Sequence, residues 1–187
     1  MPEGLDSGID VVPIWNDYAD LGGCYRRLKL FSPDIEEILG PRFVSIDLDM
    51  LVVNDLTPLF DHDLPFKMNR DTARNTHYNG ALLQMDAGVF PDVWSAFDPH
   101  ESRRLTQSKR MVGTDQAWIS YVLGPGQPVW KQEDGVLSFR LDIITQPGPM
   151  KRFSVPEHAR IINFHGSYDP AHESVRKQYT WVGDLWR

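Results

Sequence analysis

Residues 43–53 read FVSIDLDMLVV, an apolar, β-branched run interrupted by Asp47 and Asp49. The run has the composition of a buried strand. An unpaired carboxylate is costly in such a place, so the two acids mark where the chain leaves the interior. Side chains two apart on a strand share a face, which would send Asp47 and Asp49 the same way. We expect the strand to end at the acids and the backbone to turn. Both carboxylates then converge beyond the carboxyl edge of a sheet, where open α/β sheets bind ligands. Convergent carboxylates repel unless a cation lies between them. A hard divalent ion with oxygen ligands, Mg²⁺ or Mn²⁺, resolves the repulsion and suits a site that also holds phosphates. The plainer alternative is a pair of turn residues bonded to water and backbone N–H groups.

Working outward, Ile9–Trp15 (IDVVPIW) reads as a strand closed by a turn. Tyr25, Leu28 and Phe31 recur three apart. Ser32 is placed to cap a helix that continues through Pro33 and the acids Asp34, Glu36 and Glu37, and Gly40 is placed to stop it. After the acid pair come a turn and a short helix (NDLTPLF), then strand, polar loop and strand over Asp63–Gly88. Residues 91–105 (PDVWSAFDPHESRRL) read as one amphipathic helix. TDQAWISYVLG reads as another, capped by Thr114 and ended by Gly124. Trp94 and Trp118 fall at helical spacing among apolar residues and read as core. Turn-rich short strands follow, and Arg160–His165 is a last strand before a loop. Strands and helices alternate over the first two thirds, so the expected class is an α/β layered fold with a parallel or mixed sheet.

The chain has 187 residues, 41% hydrophobic and 24% charged, which fits one globular domain with a real core. The net charge of −7 argues against a nucleic-acid binder working through bulk electrostatics. Cys24 is the single cysteine, so no internal disulfide forms, and this fits a reducing compartment. No apolar run approaches a transmembrane length, and residues 1–10 lack a secretory pattern. The expected location is cytoplasmic, with docking on a membrane surface open. The basic residues of ESRRL and QSKRM read chiefly as a solvated helix end, with acceptor or membrane contact as the minor alternative.

Four blocks in order resemble GT-A glycosyltransferases, particularly the family 8-like group related to glycogenin and lipopolysaccharide galactosyltransferases. GGCYRRLKLFSPDIEEILGPRFVSIDLDMLVVNDLTPLF is similar to that group's lysine-containing helix, DxD strand and following turn. YNGALLQMDAG resembles its Asn-Ser/Ala-Gly strand, GTDQAWISYVL its Asp-Gln helix, and RIINFHGSYDPAH its closing segment. The resemblance implies a UDP-sugar donor, a Mn²⁺ or Mg²⁺ ion on the diphosphate, and a sugar, lipid or protein acceptor. By position it implies substrate-binding roles for Lys29, Asp47, Asn79, Gly80, Ala81 and Gly166. It implies metal ligation by Asp47 and Asp49, and catalytic roles near the anomeric carbon for Asp115 and Gln116. The fold implied is a three-layer GT-A-like sandwich with a mixed sheet, a single domain over 1–187 that opens after the family's first strand–helix unit.

Departures in the closing segment, together with the absence of the family's first strand–helix unit, lead us to expect weak or no UDP-sugar turnover from this chain. Asn163 stands where the family's metal-binding histidine is expected, and His165 follows two residues later. Asn163 would ligate through its amide oxygen and His165 by a shifted route; the competing reading packs His165 under the loop. The family's closing-segment lysine is replaced near Tyr168 and Asp169, which removes a cation from the phosphate site, with His172 in partial compensation. Two alternatives stay beside the transferase reading. One is a degenerate GT-A-like binding domain. The other is a Mg²⁺-dependent aspartyl phosphatase using Asp47 as nucleophile, although Met50 and Leu51 replace the residues that such enzymes carry after the acid pair.

Overall fold

The computed structural model describes residues 8–9, 11–12, 21–71, 75–145 and 155–186. The acid-bearing run is not one strand. It divides into β1 (Arg42–Ile46) and β2 (Met50–Val52), which belong to different sheets. Asp47, Leu48 and Asp49 form the passage between them. Asp47 N–H donates to Ala81 C=O at 2.8 Å, adding a last rung to β1, and Met50 N–H donates to Asp47 C=O at 3.1 Å to close the turn. Burial explains the switch. β1 buries Phe43 but leaves Val44 and Ile46 exposed, whereas Met50 and Leu51 are both buried.

The first sheet has the order β1-β4-β3-β5, with β3 at Phe66–Arg70, β4 at Tyr78–Asp86 and β5 at Val129–Trp130. β4 runs antiparallel to both neighbours, and β3 and β5 are parallel. The second sheet has the order β2-β7-β6, with β6 at Val136–Ser138 and β7 at Ile161–Asn163; β2 and β7 are antiparallel and β6 and β7 parallel. Mixed strand orientation in an α/β layering is as expected. Of the strand anticipated over Ile9–Trp15, residue 10 and residues 13–15 lie outside the described residues. Ile9, Val11 and Val12 carry no strand pairing and are exposed.

Helical segments follow the sequence signals with three corrections. Tyr25–Phe31 is a 3₁₀ helix, whose three-residue period puts Tyr25, Leu28 and Phe31 on one buried face. α1 spans Ile35–Leu39 and starts two residues after Pro33, because the Ser32 hydroxyl donates to Asp34 Oδ1 at 2.5 Å rather than capping. Gly40 ends it at φ 83°. After the short α2 (Thr57–Phe60), the helix anticipated over 91–105 is two, α3 (Asp92–Ser95) and α4 (Pro99–Ser108). Pro99 forces the preceding residue out of the helical region. Asp98 is extended there, and its carboxylate accepts from the N–H groups of His100 and Glu101 to start α4 afresh. α5 covers Asp115–Leu123 and ends at Gly124. The Thr114 hydroxyl does not cap α5 but accepts from Cys24 N–H at 3.1 Å.

Three apolar clusters bind the layers. The first packs Leu28, Phe31, Ile35, Val93, Trp118 and Ile119 against Phe66, Met68, Leu83 and Met85 of the four-stranded sheet. Trp118 is core as expected, and Trp94 packs at its margin, partly buried. The second lies where the sheets meet, with Met50, Ala81, Leu82, Trp130 and Ile161. The third packs Leu51, Phe139 and Phe164 against α6 (Glu173–Gln178) and α7 (Thr180–Leu185) through Val175, Tyr179 and Val182. Among the described residues no helix is long and apolar enough to cross a membrane.

Candidate active site

The change of sheet at Asp47–Asp49 creates the site. Leu48 points outward and is 92% exposed, while the acids on either side are half-buried. Both carboxylates feel the Arg27 guanidinium, and Asp47 also feels Asp49. The chain does turn at the acids, as the sequence leads us to expect, with Asp47 on the last rung of β1 and Asp49 just before β2. Burial pushes the carboxyl groups of both acids above the usual carboxylate range. Arg27 opposes this at each, and neighbouring Asp169 reinforces it at Asp49.

Arg27 organises the centre. Its Nη2 ion-pairs with Asp47 and its Nη1 with Asp115 Oδ2 at 2.7 Å. A guanidinium suits this task because its planar fork serves two carboxylates at once. Burial alone would lower the Arg27 pKa, but Asp115 and Asp47 outweigh it and raise it. Asp115 reaches the centre from the first turn of α5, and Arg27 from the 3₁₀ helix. β4 makes room between them: a Cβ at Gly80 would run into the Arg27 guanidinium and lie 2.8 Å from Asp115 Oδ2. Gly80 thus admits this close packing of charge. An isolated glycine inside an apolar strand signals close approach of another group, and this was the available clue to Arg27.

The remaining expected residues divide. Lys29 is not at the carboxylates: its Nζ pairs with Asp34 at 2.7 Å and lies over the Trp94 ring. Its side chain leaves the other face of the 3₁₀ helix, so the cation at the site is Arg27, two residues earlier. Ala81 is 4% exposed and packs in the inter-sheet cluster, so its side chain is core. Gln116 parts from its neighbour Asp115, and its Nε2 donates to Asp71 Oδ2 at 3.0 Å, where Thr76 also bonds. Gly166 occupies the loop after β7 at φ 76°.

Asn79, Asn163 and His165 line one cavity of about 190 Å³, together with Asn69, Asp71 and Ser138. Its walls come from β3, β4, β6 and β7, so the cavity spans both sheets. His165 Nε2 is 2.8 Å from Ser138 Oγ, which also accepts from Leu141 N–H. Asn79 Oδ1 accepts from Ala81 N–H at 2.9 Å. Sequence reasoning missed Asp71 and Ser138 because nothing local distinguishes them; they meet only through strand pairing.

Asp47, Asp49 and the Asn163 amide offer hard oxygen donors, the ligand type of Mg²⁺ and Mn²⁺. Among the described residues no group of three or more His, Cys, Asp or Glu is placed to hold a metal ion unaided. Such a donor set fits an ion whose remaining positions are filled by water and substrate phosphates, as is usual for Mg²⁺.

No protein-family model matches the chain, and no curated protein matches its sequence. Solved structures do match. The galactosyltransferase LgtC, in complex with donor and acceptor sugar analogs, superposes with a TM-score of 0.53 and 17% identity over 87% of this chain and 67% of that one. An active-site mutant of LgtC gives a TM-score of 0.52 and 18% identity over the same shares. The glycosyltransferase GlyE of Streptococcus pneumoniae TIGR4 gives 0.53 and 15% identity over 85% of this chain and 43% of that one. This chain therefore has the GT-A glycosyltransferase fold.

Proposed function

We propose that the chain is the catalytic domain of a metal-dependent glycosyltransferase, family 8-like, that moves a sugar from UDP to an acceptor hydroxyl. The observation that carries this is the Asp47–Arg27–Asp115 bridge. It is set beside Asp49 at the rim of a glycosyltransferase-type sheet and near a polar cavity that both sheets line. Cleaving a sugar–diphosphate bond builds negative charge on the leaving phosphate and positive character on the sugar carbon. A divalent cation held by Asp47 and Asp49, with Asn163 as an amide ligand, would neutralise the leaving diphosphate as a Lewis acid. Arg27 fixes Asp47 and Asp115 in one array before substrate arrives, which lowers the cost of reorganisation during reaction. Asp115 presents a carboxylate to the cation-like sugar carbon. The Asn79, Asn163 and His165 polar groups suit an acceptor hydroxyl in their cavity.

One observation favours a second reading, a binding domain without turnover. Asp169 stands in the segment where the resemblance expects a lysine, and it raises the Asp49 pKa. An anion approaching Asp49 and Asp169 together is repelled unless the divalent ion is present. Titration calorimetry with UDP separates the readings. The transferase reading expects UDP binding that requires Mn²⁺ or Mg²⁺ and is lost in Asp49→Ala, together with metal-dependent UDP release from a UDP-sugar. A folded protein with no UDP binding in Mn²⁺ overturns it. Binding without release selects the second reading.

A further inference from the structure

Away from the carboxylates, a second cavity of about 840 Å³ runs between the segment Leu21–Tyr25, α4 and the connection to α5. Leu21, Tyr25, Met111 and Val112 are its apolar lining, and Val112 is 58% exposed. Arg103 and Gln107, one helical turn apart on α4, also line it. Lys109 and Arg110 follow immediately in the turn leaving α4, both exposed.

Charge here runs against the molecule as a whole. Residues 99–114 contain Arg103, Arg104, Lys109 and Arg110 and a single acid, Glu101, in a chain of net charge −7. Glu101 is taken by Arg104 through an ion pair at 2.5 Å. Asp98 spends its carboxylate on capping α4, and Asp115 spends its own on Arg27. Among the described residues no carboxylate pairs with Arg103, Lys109 or Arg110.

The backbone adds an independent sign. Arg110, just past the helix C-cap, has φ 57°, the left-handed conformation that glycine adopts most cheaply. A non-glycine residue there is strained, because its Cβ crowds the following carbonyl oxygen. The turn is held by Asn75, whose side-chain N–H donates to the Arg110 carbonyl at 3.2 Å. A bulky cation is kept where folding alone favours glycine, and local strain of this kind points to a use for the side chain.

We propose that this groove, with Arg103 in its lining and exposed Lys109 and Arg110 in the adjoining turn, is a docking surface for an anionic lipid bilayer. Phosphate headgroups would meet Arg103, Lys109 and Arg110, while Val112 and Met111 reach the acyl boundary. Clustered Lys and Arg beside exposed apolar side chains match the interface of an anionic membrane, which offers negative charge outside and hydrocarbon a few ångströms deeper. A nucleic acid presents no hydrocarbon to the apolar lining. Gly23 and Thr114 line the groove and Thr114 directly precedes Asp115, so docking here would bring the candidate active site toward the membrane surface. The proposal stands apart from the transferase reading and needs no turnover to test.

Flotation of the full chain with vesicles is the test. Binding is expected to phosphatidylcholine–phosphatidylglycerol vesicles at low salt, to fall as salt rises, and to be absent with phosphatidylcholine alone. Arg103→Glu/Lys109→Glu should weaken it by about tenfold or more, while the charge-matched Arg176→Glu/Lys177→Glu on α6 should not. Arg110→Gly separates folding from docking: thermal stability should hold or rise while vesicle binding falls. No binding to anionic vesicles at low salt, equal binding to neutral ones, or equal loss in both charge-reversed variants overturns the proposal. So does a concentration-dependent dimer that Arg103→Glu/Lys109→Glu dissociates, which would make a second copy the occupant.

Discussion

Arg27 joins half-buried Asp47 to buried Asp115, and its own side chain is only 18% exposed. Removing one partner of such an array leaves charge stranded. Arg27→Ala is therefore expected to cost about 2–4 kcal/mol in urea unfolding. Arg27→Lys should recover little, since one ammonium cannot fork two carboxylates. Gly80→Ala should cost about 1–3 kcal/mol by overpacking, but far less in the Arg27→Ala background, where the obstructing guanidinium is gone. A double-mutant cycle reads this coupling; additive costs would show that Gly80 and Arg27 are independent. Asp49 gives a pH effect of definite sign. Its folded pKa is raised above the ordinary 3.8 by burial and Asp169. Stability it contributes in acid is thus lost as pH rises through its raised folded pKa. Asp49→Asn should raise the melting temperature at pH 7 without divalent ions, by about 1–3 °C, and leave it unchanged at pH 3. The same variant should not gain the stabilisation that Mn²⁺ gives the native protein.

Among the elements, α4 shows how a short signal outweighs a long periodicity. The apolar spacing across residues 91–105 fits one helix, yet Asp98–Pro99 breaks it because a residue before proline leaves the helical region. The restart depends on the Asp98 cap, so Asp98→Ala should cost about 1 kcal/mol by thermal unfolding, and Asp98→Ser should restore most of it. β1 and β2 teach the same lesson in strand form. Composition marks FVSIDLDMLVV as extended throughout, and the positions of its acids mark the end of β1 correctly. What composition does not carry is that Met50–Val52 pairs with β7 in another sheet. β2 finds its partner more than a hundred residues later, at Ile161–Asn163, and no local preference encodes that choice.

For the molecule as a whole, two sheets meeting at one apolar cluster place chemistry at their seam. The rim acids come from the passage between sheets, and the polar cavity draws on strands of both. Within the described residues β1 has a strand partner on one side only, and Val44 and Ile46 are 40% and 38% exposed on it. An open edge with apolar side chains is a template for pairing between chains. Sedimentation velocity of this chain should show association that grows with concentration, and Val44→Lys/Ile46→Lys should reduce it. A monomer at all concentrations would show the edge to be protected.

The amino-acid sequence by itself determined the α/β class, α1, α2, α5, β3 and β4, and the end of β1 at the acid pair. Those features follow from periodicity, capping residues and the cost of burying charge, all of which act between near neighbours. Tertiary structure alone decided that the cation beside the acids is Arg27 and not Lys29, that Gly80 exists to admit it, and that Gln116 turns to Asp71. Each of those depends on which surfaces meet when the 3₁₀ helix, β4 and α5 pack together. That meeting is set by the burial of the whole core, not by the residues on either side of each position.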